Sequence, residues 1–463
     1  MHERNPYRIP PDFAVLCDSY EKLKPYIISD PASSRTTIDF KDEEAQRRLT
    51  EAIMHRDFGV TLHIPLTRLC PPVPNRQIRR LNYALWMQDI VRAHEVALGS
   101  QLRTRHLNVH PPKRDRIDRD LSFSFVQAGT DLELDDESYA SAQHNVSQNN
   151  MQSRIHIEKA SPDGLILFPL ECNHDSFTFT MCNPPFYGSA DEVAQSAQEK
   201  ELPPNAVCSG AEVEMIYPDG GEEGFVGKMV EESERFQTRC KWYTSMLGKM
   251  SSVVTIVGIL RQRSISNYAI TEFVQGQTRR WAIAWSFTDT RLPDSLARIP
   301  SILPKHALYS CMPPRNTLNQ AFPGYTIQDV HAKLGDTLRG VNGVSCNEIN
   351  SMGTNSNPFL VEAQENTWSR SARRSRANNN SRKPSSALEE GMTTTAPDPA
   401  LTCSCRVNID TGLSEEDGGE PLCAIEIQWI YGKDRALFES FAGHVGRKVG
   451  SSLRTEGKGI VGF

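Results

Sequence analysis

The sequence predicts an α/β protein with a doubly wound, Rossmann-like sheet, a helical N-terminal extension and a small C-terminal α+β unit. Three observations carry this expectation. Strand-like and helix-like runs alternate between Phe123 and Phe287. The first hundred residues place apolar side chains at helical spacing. Over residues 345–399 the composition shifts to Asn, Ser, Thr and Arg, and apolar alternation resumes at Leu401.

The elements follow in order. Acidic residues from Asp39 to Glu44 lead into a helix with Ala45, Leu49, Ala52 and Ile53 on one stripe. Arg47, Arg48 and Arg56 lie off that stripe. With Arg4 and Arg8 they are candidates for a phosphate-tracking surface, and a solvated helix face fits the spacing equally well. Residues 81–91 form a second apolar helix. Residues 101–120 have no period, many charges and a Pro pair, so they read as a loop. Phe125-Val126 and residues 132–134 suggest strands, 135–146 a helix with an acidic first turn, and 154–158 another strand. Residues 176–182 form a buried strand, and 188–221 a loop. A helix with Phe225, Met229, Val230, Ser233 and Phe236 inward comes next. Trp242-Tyr243 and the β-branched run 253–257 read as strands, as does the aromatic run 280–287.

The domain boundaries expected from this pass are 1–95 for the extension and 96–300 for the sheet domain, with 100–122 aberrant. A connecting segment at 301–344 and a basic disordered linker at 345–400, rich in arginines such as Arg370, Arg373 and Arg374, lead to a β-β-α unit at 401–463. In that unit Ile425, Ile427, Trp429 and Tyr431 share one strand face, and Leu437, Phe438, Phe441 and Val445 one helix face.

Composition narrows the function classes. At 38% hydrophobic content, with a mean hydropathy of −0.47, no apolar run approaches a membrane span. The N-terminus lacks the apolar stretch of a secretory signal. The net charge of −6 makes any nucleic-acid surface a local one. Eleven scattered cysteines without a C-x-x-C pair read as reduced thiols, and twelve histidines without ligand spacing argue against a metal site.

The feature with most chemistry in it is Asn183-Pro184-Pro185-Phe186, directly after the 176–182 strand. An exocyclic adenine amine is a poor nucleophile because its lone pair is delocalised. An Asn side-chain carbonyl and a neighbouring backbone carbonyl can accept its hydrogens and draw the nitrogen toward tetrahedral geometry. Proline fixes φ and removes competing donors, and the Phe offers a face for a flipped base. A plain strand-ending turn is the alternative.

The tetrapeptide resembles the catalytic motif of S-adenosylmethionine-dependent amino methyltransferases. Together with Pro10-Pro11-Asp12-Phe13-Ala14, Asp39-Phe40-Lys41-Asp42, Arg56-Asp57-Phe58-Gly59, Arg80-Leu81-Asn82-Tyr83, the run from Trp242 to Lys249 and the run from Thr271 to Gly276, it resembles the methyltransferase-like protein 16 family of RNA adenine-N6 methyltransferases over about residues 1–290. The resemblance implies a methyltransferase sheet, S-adenosylmethionine as cofactor, structured RNA such as U6 spliceosomal RNA as partner, and a nuclear location, with the cytoplasm also open. It implies cofactor contacts from Arg80, Glu133, Asp163 and Gly164, base contacts from Asn183, Pro184, Pro185 and Phe186, and RNA contacts from His2, Arg4, Arg8, Arg47, Arg279 and Arg280. No metal is implied. The tail resembles, more weakly, the RNA-binding C-terminal region of the same family. Bacterial relatives with the same core act on ribosomal RNA, which is one alternative. The other is an RNA-binding relative with impaired catalysis, because one part of the family pattern is absent. Where a glycine-rich cofactor loop is expected, Gly129 is the only glycine between Ser100 and Thr130. Weak cofactor binding by the chain as written follows from that departure.

Overall fold

The computed structural model describes residues 2–9, 11–30, 35–65, 75–105, 129–133, 135–172, 176–198, 215–275, 278–350, 356–372, 374, 398–410 and 422–457. These form two compact units. The first comprises residues 1–91, 110–288 and 298–313, and the second 92–109, 289–297 and 314–463.

In the first unit the N-terminal residues build a helical module with its own core. Helix α1 (Phe13–Ser19) packs on α2 (Glu43–Phe58), and the hairpin of β1 (Ile27–Asp30) with β2 (Arg35–Ile38) meets α1 through β2. Helix α2 starts where Asp42 accepts N–H bonds from Glu44 at 2.9 Å and Ala45 at 3.3 Å. The predicted stripe Ala45, Leu49, Ala52 and Ile53 is buried, with Leu16 and Leu23 against it. Helix α3 (Asn75–Arg105) follows. It is longer than the sequence suggested, because residues 101–105 continue it, whereas 106–128 lie outside the described residues.

The segment after α2 is held from two sides. Helix α4 (Asp136–Gln148) and the residue that ends it reach it through asparagines. The Asn149 side chain accepts from Thr61 N–H at 2.8 Å and donates to its carbonyl at 2.7 Å. Asn145 treats His63 in the same way, at 2.7 and 3.0 Å. From the other side, Arg47 Nη1 donates to the carbonyls of Ile64 and Pro65.

Besides the β1/β2 hairpin, two sheets are seen among the described residues of this unit. Strands β3 (Gly129–Glu133) and β4 (Ile155–Lys159) pair in parallel. Strands β5 (Phe177–Phe179), β6 (Cys240–Leu247), β7 (Tyr268–Gln275) and β8 (Thr278–Trp285) form a sheet in the order β5-β6-β8-β7, parallel at β5/β6 and antiparallel beyond. The sequence predicted one doubly wound sheet. Helices α5 (Ala190–Gln198), α6 (Gly221–Phe236) and α7 (Met250–Gln262) complete the domain. Helix α6 buries Met229, Val230, Ser233 and Phe236, as its spacing predicted. Helix α7 corrects the reading of 253–257 as a strand. Val253, Ile256, Val257 and Leu260 are buried at i, i+3, i+4 and i+7 while Val254 and Thr255 face out, a helical period that outweighs β-branched propensity.

The second unit corrects the expected boundaries. Strand β9 (Thr317–Phe322) and helix α8 (Ile327–Arg339) occupy the stretch expected to be a connector, and strand β10 (Val344–Glu348) starts at its last residue and runs into the stretch expected to be a linker. Strand β11 (Phe359–Ala363) and the buried Trp368 lie in the stretch expected to be a disordered linker. With β12 (Leu401–Asp410), β13 (Leu422–Tyr431) and α9 (Arg435–Gly457) they form one antiparallel sheet, in the order β10-β11-β12-β13-β9, carrying two helices. Phe438, Phe441, Val445 and Val449 of α9 share a core with Val361, Cys403, Val407 and Ile427. Trp429 stacks on Phe438 with ring centroids 5.3 Å apart. A β-β-α unit alone would have left this sheet face half covered.

Candidate active site

Asn183-Pro184-Pro185-Phe186 leaves the sheet at the carboxyl end of β5, and the pairing with β6 continues past the strand. Thr180 N–H donates to the Trp242 carbonyl at 2.9 Å, Thr244 N–H to Thr180 Oγ1 at 3.0 Å, and Met246 N–H to the Cys182 carbonyl at 2.9 Å. The Thr244 hydroxyl donates to the Thr180 carbonyl, so the buried Tyr83 hydroxyl beside it is the donor of that pair. Tyr83 in turn accepts from Cys182 N–H at 3.4 Å. Tyr83 comes from the Arg-Leu-Asn-Tyr block of α3, which is thereby tied to the residue preceding Asn183. Burial raises both hydroxyl and thiol here: the Tyr83 phenol is held above its usual value and the Cys182 thiol is pushed up to about 12.

Within the turn Pro184 is buried and Asn183 is exposed. Among the described residues the Asn183 side chain makes no hydrogen bond to protein, which leaves its carbonyl available. Phe186 rests on the turn between β6 and α7. A Cβ on Gly248 would come within 2.8 Å of the Phe186 ring, so any other residue there would push the ring aside. Arg280, on β8, donates to the Gly248 carbonyl at 3.0 Å and holds its guanidinium 5.7 Å from the Phe186 ring centroid. Beyond the motif, Tyr187 pairs with Met215 and Tyr217 through backbone bonds of 3.0 and 2.8 Å. Lys249 sits 5.8 Å from its ring and pairs with Glu192, which also accepts Gly188 N–H at 2.7 Å.

Of the residues implied for the cofactor, Glu133 ends β3 half-buried, its carbonyl accepting from Ala160 N–H at 2.9 Å. Asp163 is exposed in the turn after β4, and the Gly164 carbonyl accepts from Lys228 Nζ at 3.2 Å. That turn is tied to α6 by Glu232, which accepts from Ile166 N–H at 3.1 Å and Leu167 N–H at 2.8 Å. Arg80 lies in α3, with its side chain outside the described residues. A carboxylate at the end of a parallel strand and an adjoining turn fit the ribose end of a nucleoside cofactor.

The basic residues divide. Arg8 is exposed, and Arg279 is 59% exposed and pairs with Glu272 at 3.1 Å. His2 and Arg4 are turned onto α3, where both pair with Asp89 and Arg4 also bonds Gln88. Arg47 corrects the expectation of an RNA contact. It is 2% exposed, and its guanidinium serves the carbonyls of 64–65. Spacing along α2 could not show that a later segment covers this face. Sequence reasoning also missed Tyr83, Thr244, Glu222 and Gly248 as supports of the motif. Tyr83, Thr244 and Gly248 fall in the blocks quoted above and Glu222 in none of them, and nothing local marks a support.

A family model described as RNA methyltransferase matches residues 1–289. The chain is 32% identical over 433 residues to the U6 small nuclear RNA (adenine-(43)-N(6))-methyltransferase of Schizosaccharomyces pombe, covering 92% of this chain and 98% of that protein. It is 36% identical over 301 residues to the human RNA N(6)-adenosine-methyltransferase METTL16, covering 62% of this chain and 51% of that protein. It therefore spans nearly all of the yeast relative and about half of the human one. Among solved structures, the human Mettl16 catalytic domain in complex with MAT2A 3'UTR hairpin 1 superposes with a TM-score of 0.52 at 31% identity, covering 65% of this chain and 99% of that one. The motif at the end of β5, the mixed sheet around it and these matches agree: the first unit has the α/β methyltransferase fold, and the chain belongs to the METTL16 family of RNA methyltransferases.

Proposed function

We infer that this chain methylates N6 of an adenine in structured RNA, with U6 spliceosomal RNA as its substrate and the nucleus as its place of action. The observation that carries this reading is the seating of Asn183-Pro184-Pro185-Phe186. Its Asn carbonyl is exposed and its Phe ring is backed by Gly248 and flanked by Arg280. S-adenosylmethionine, when bound, supplies the electrophilic methyl group. The chain's own residues do the rest. Asn183 and a neighbouring backbone carbonyl accept the amine hydrogens and orient the nitrogen lone pair. Phe186 stacks the extruded base, and the amine proton leaves to water after transfer. Glu133, Asp163, Gly164 and Arg80 are assigned to the cofactor. Arg8, Arg279 and Arg280 are assigned to RNA phosphate, and His2 and Arg4 to shaping the N-terminal surface that bears Arg8.

Asn183→Ala tests the reading directly. Transfer of labelled methyl to a U6-type hairpin should fall by roughly 100-fold or more, with RNA affinity and folding retained. Activity within a few-fold of the parent would sink the assignment. A second reading, an RNA-binding relative with poor cofactor affinity, is favoured by the glycine-poor interval 101–130. Isothermal titration with S-adenosylmethionine separates the two, since micromolar binding excludes the second.

A further inference from the structure

We propose that Glu222 is a positioning residue for the base platform, setting through Gly248 where Phe186 sits. The proposal rests on the adenine-methylation reading and extends it to a residue that touches neither base nor cofactor.

Glu222 stands in the first turn of α6 and is 2% exposed. A carboxylate so buried needs donors; the turn between β6 and α7 supplies two and the first turn of α7 a third. Oε2 accepts Gly248 N–H at 2.6 Å, and Oε1 accepts Lys249 N–H at 2.9 Å and the Ser252 hydroxyl at 2.6 Å. Helix α7 has no side-chain cap from its own N-cap residue Lys249, so an acid from a neighbouring helix serves its N-terminus.

Gly248 is where this brace meets the motif. Its N–H goes to Glu222, its Cα face carries the Phe186 ring, and its carbonyl receives Arg280, whose guanidinium flanks the same ring. The residue before Glu222 touches the other side of the motif. A Cβ on Gly221 would lie 3.0 Å from the Tyr187 carbonyl carbon and 3.3 Å from the Phe186 carbonyl oxygen. The start of α6 thus abuts the backbone of 186–188 directly and supports the Phe186 ring through Gly248.

Glu222→Gln keeps the shape but not the chemistry. One amide oxygen cannot serve all three donors, and the amide nitrogen must face a backbone N–H. The turn then relaxes, and Phe186 with it. RNA affinity, carried mostly by phosphate contacts, should barely change. Alignment of the base should suffer, since a shift of about 1 Å costs up to about 100-fold in rate.

The experiment places 2-aminopurine at the target position of a U6-type hairpin and reads its quenching on binding, alongside kcat on the adenine hairpin. Wild type should quench and Phe186→Ala should not, which establishes the platform. Glu222→Gln, and independently Gly248→Ala, should bind RNA within about threefold of wild type. Both should lose most of the quench and about tenfold or more in kcat. Gly248→Ala keeps the Glu222 carboxylate chemically intact while its Cβ presses on the Phe186 ring at 2.8 Å and on Glu222 Oε2 at 3.0 Å, so it perturbs the junction of brace and ring from the other side and keeps the test open if Glu222→Gln fails to fold. Wild-type quench and kcat in either folded variant would overturn the proposal and leave the adenine reading standing. Quenching by wild type that is indifferent to Phe186→Ala would overturn the platform itself.

Discussion

Arg47→Ala separates a structural arginine from an RNA contact. The side chain is 2% exposed and its Nη1 serves the carbonyls of Ile64 and Pro65. Truncation removes charge-assisted bonds, strands two carbonyls and opens space beneath the 60–65 segment. Bonds to charged groups contribute about 1.5–3 kcal/mol each, so a combined loss of about 3 kcal/mol is expected. For a unit of this size that lowers Tm by roughly 5 °C. Thermal unfolding followed by circular dichroism measures it. The slope of log affinity for a U6-type hairpin against log salt, taken below the variant's Tm, should match wild type. An unchanged Tm with a slope shallower by roughly 0.7–0.9, the signature of one lost phosphate contact, would refute the reasoning.

Other consequences are open to measurement. Arg279, mostly exposed on β8, should contribute to phosphate contact, so Arg279→Ala should make that salt slope shallower by roughly 0.7–0.9; an unaltered slope would leave Arg279 merely a partner of Glu272. Burial pushes the thiols of Cys182 and Cys240 up to about 12, whereas Cys172 is exposed. Alkylation of the native protein at neutral pH, mapped by mass spectrometry, should therefore mark Cys172 and spare the other two, and early labelling of Cys182 would contradict the packing around the motif. The hydrogen bond from Lys249, and then that from Gly188 N–H, holds the Glu192 carboxyl below the ordinary glutamate range. A carboxyl depressed in the folded state stabilises above its unfolded value and loses that contribution as pH falls through the folded value. The Lys249–Glu192 brace should thus persist through neutral and mildly acidic pH, and a carbon-13 titration midpoint for Glu192 at or above the usual glutamate value would count against it.

What was legible in the sequence was local. The motif is contiguous and ends a strand of recognisable composition, so its place at the end of β5 could be read directly. The α2 stripe, the acidic start of α4 and the alternation in β13 are each set by neighbours within one or two turns. The second unit was underestimated because its sheet is closed by distant partners. Phe322 pairs with Cys423, and Val361 with Cys403 across an Arg- and Ser-rich insertion. Neither β9 nor β11 announces such a partner. Val253 to Val257 misled because β-branching speaks for a strand, while the surroundings bury only every third or fourth residue. Glu222 falls between the loop read to residue 221 and the helix read from Phe225, and its own neighbours give it no role. Its role depends on Gly248, which packing alone brings to it.

The asparagine ladder along Thr61 and His63 has a consequence for how this region can change over evolution. Both contacts are made to backbone N–H and C=O groups, so the ladder itself does not read the side chains of Thr61 and His63. Spacing is not. Two residues of extended chain advance roughly 6.6 Å and four residues of helix roughly 6 Å, so residues 61 and 63 match 149 and 145 over one repeat and would fall out of step over several. A single-residue insertion between Thr61 and His63 would turn one peptide's N–H and C=O away from its asparagine. Relatives and engineered variants should therefore tolerate exchange of residue identity at 61–63 better than a change of length. A deletion scan across residues 61–63, scored by soluble yield, should show that contrast against a substitution scan of the same positions.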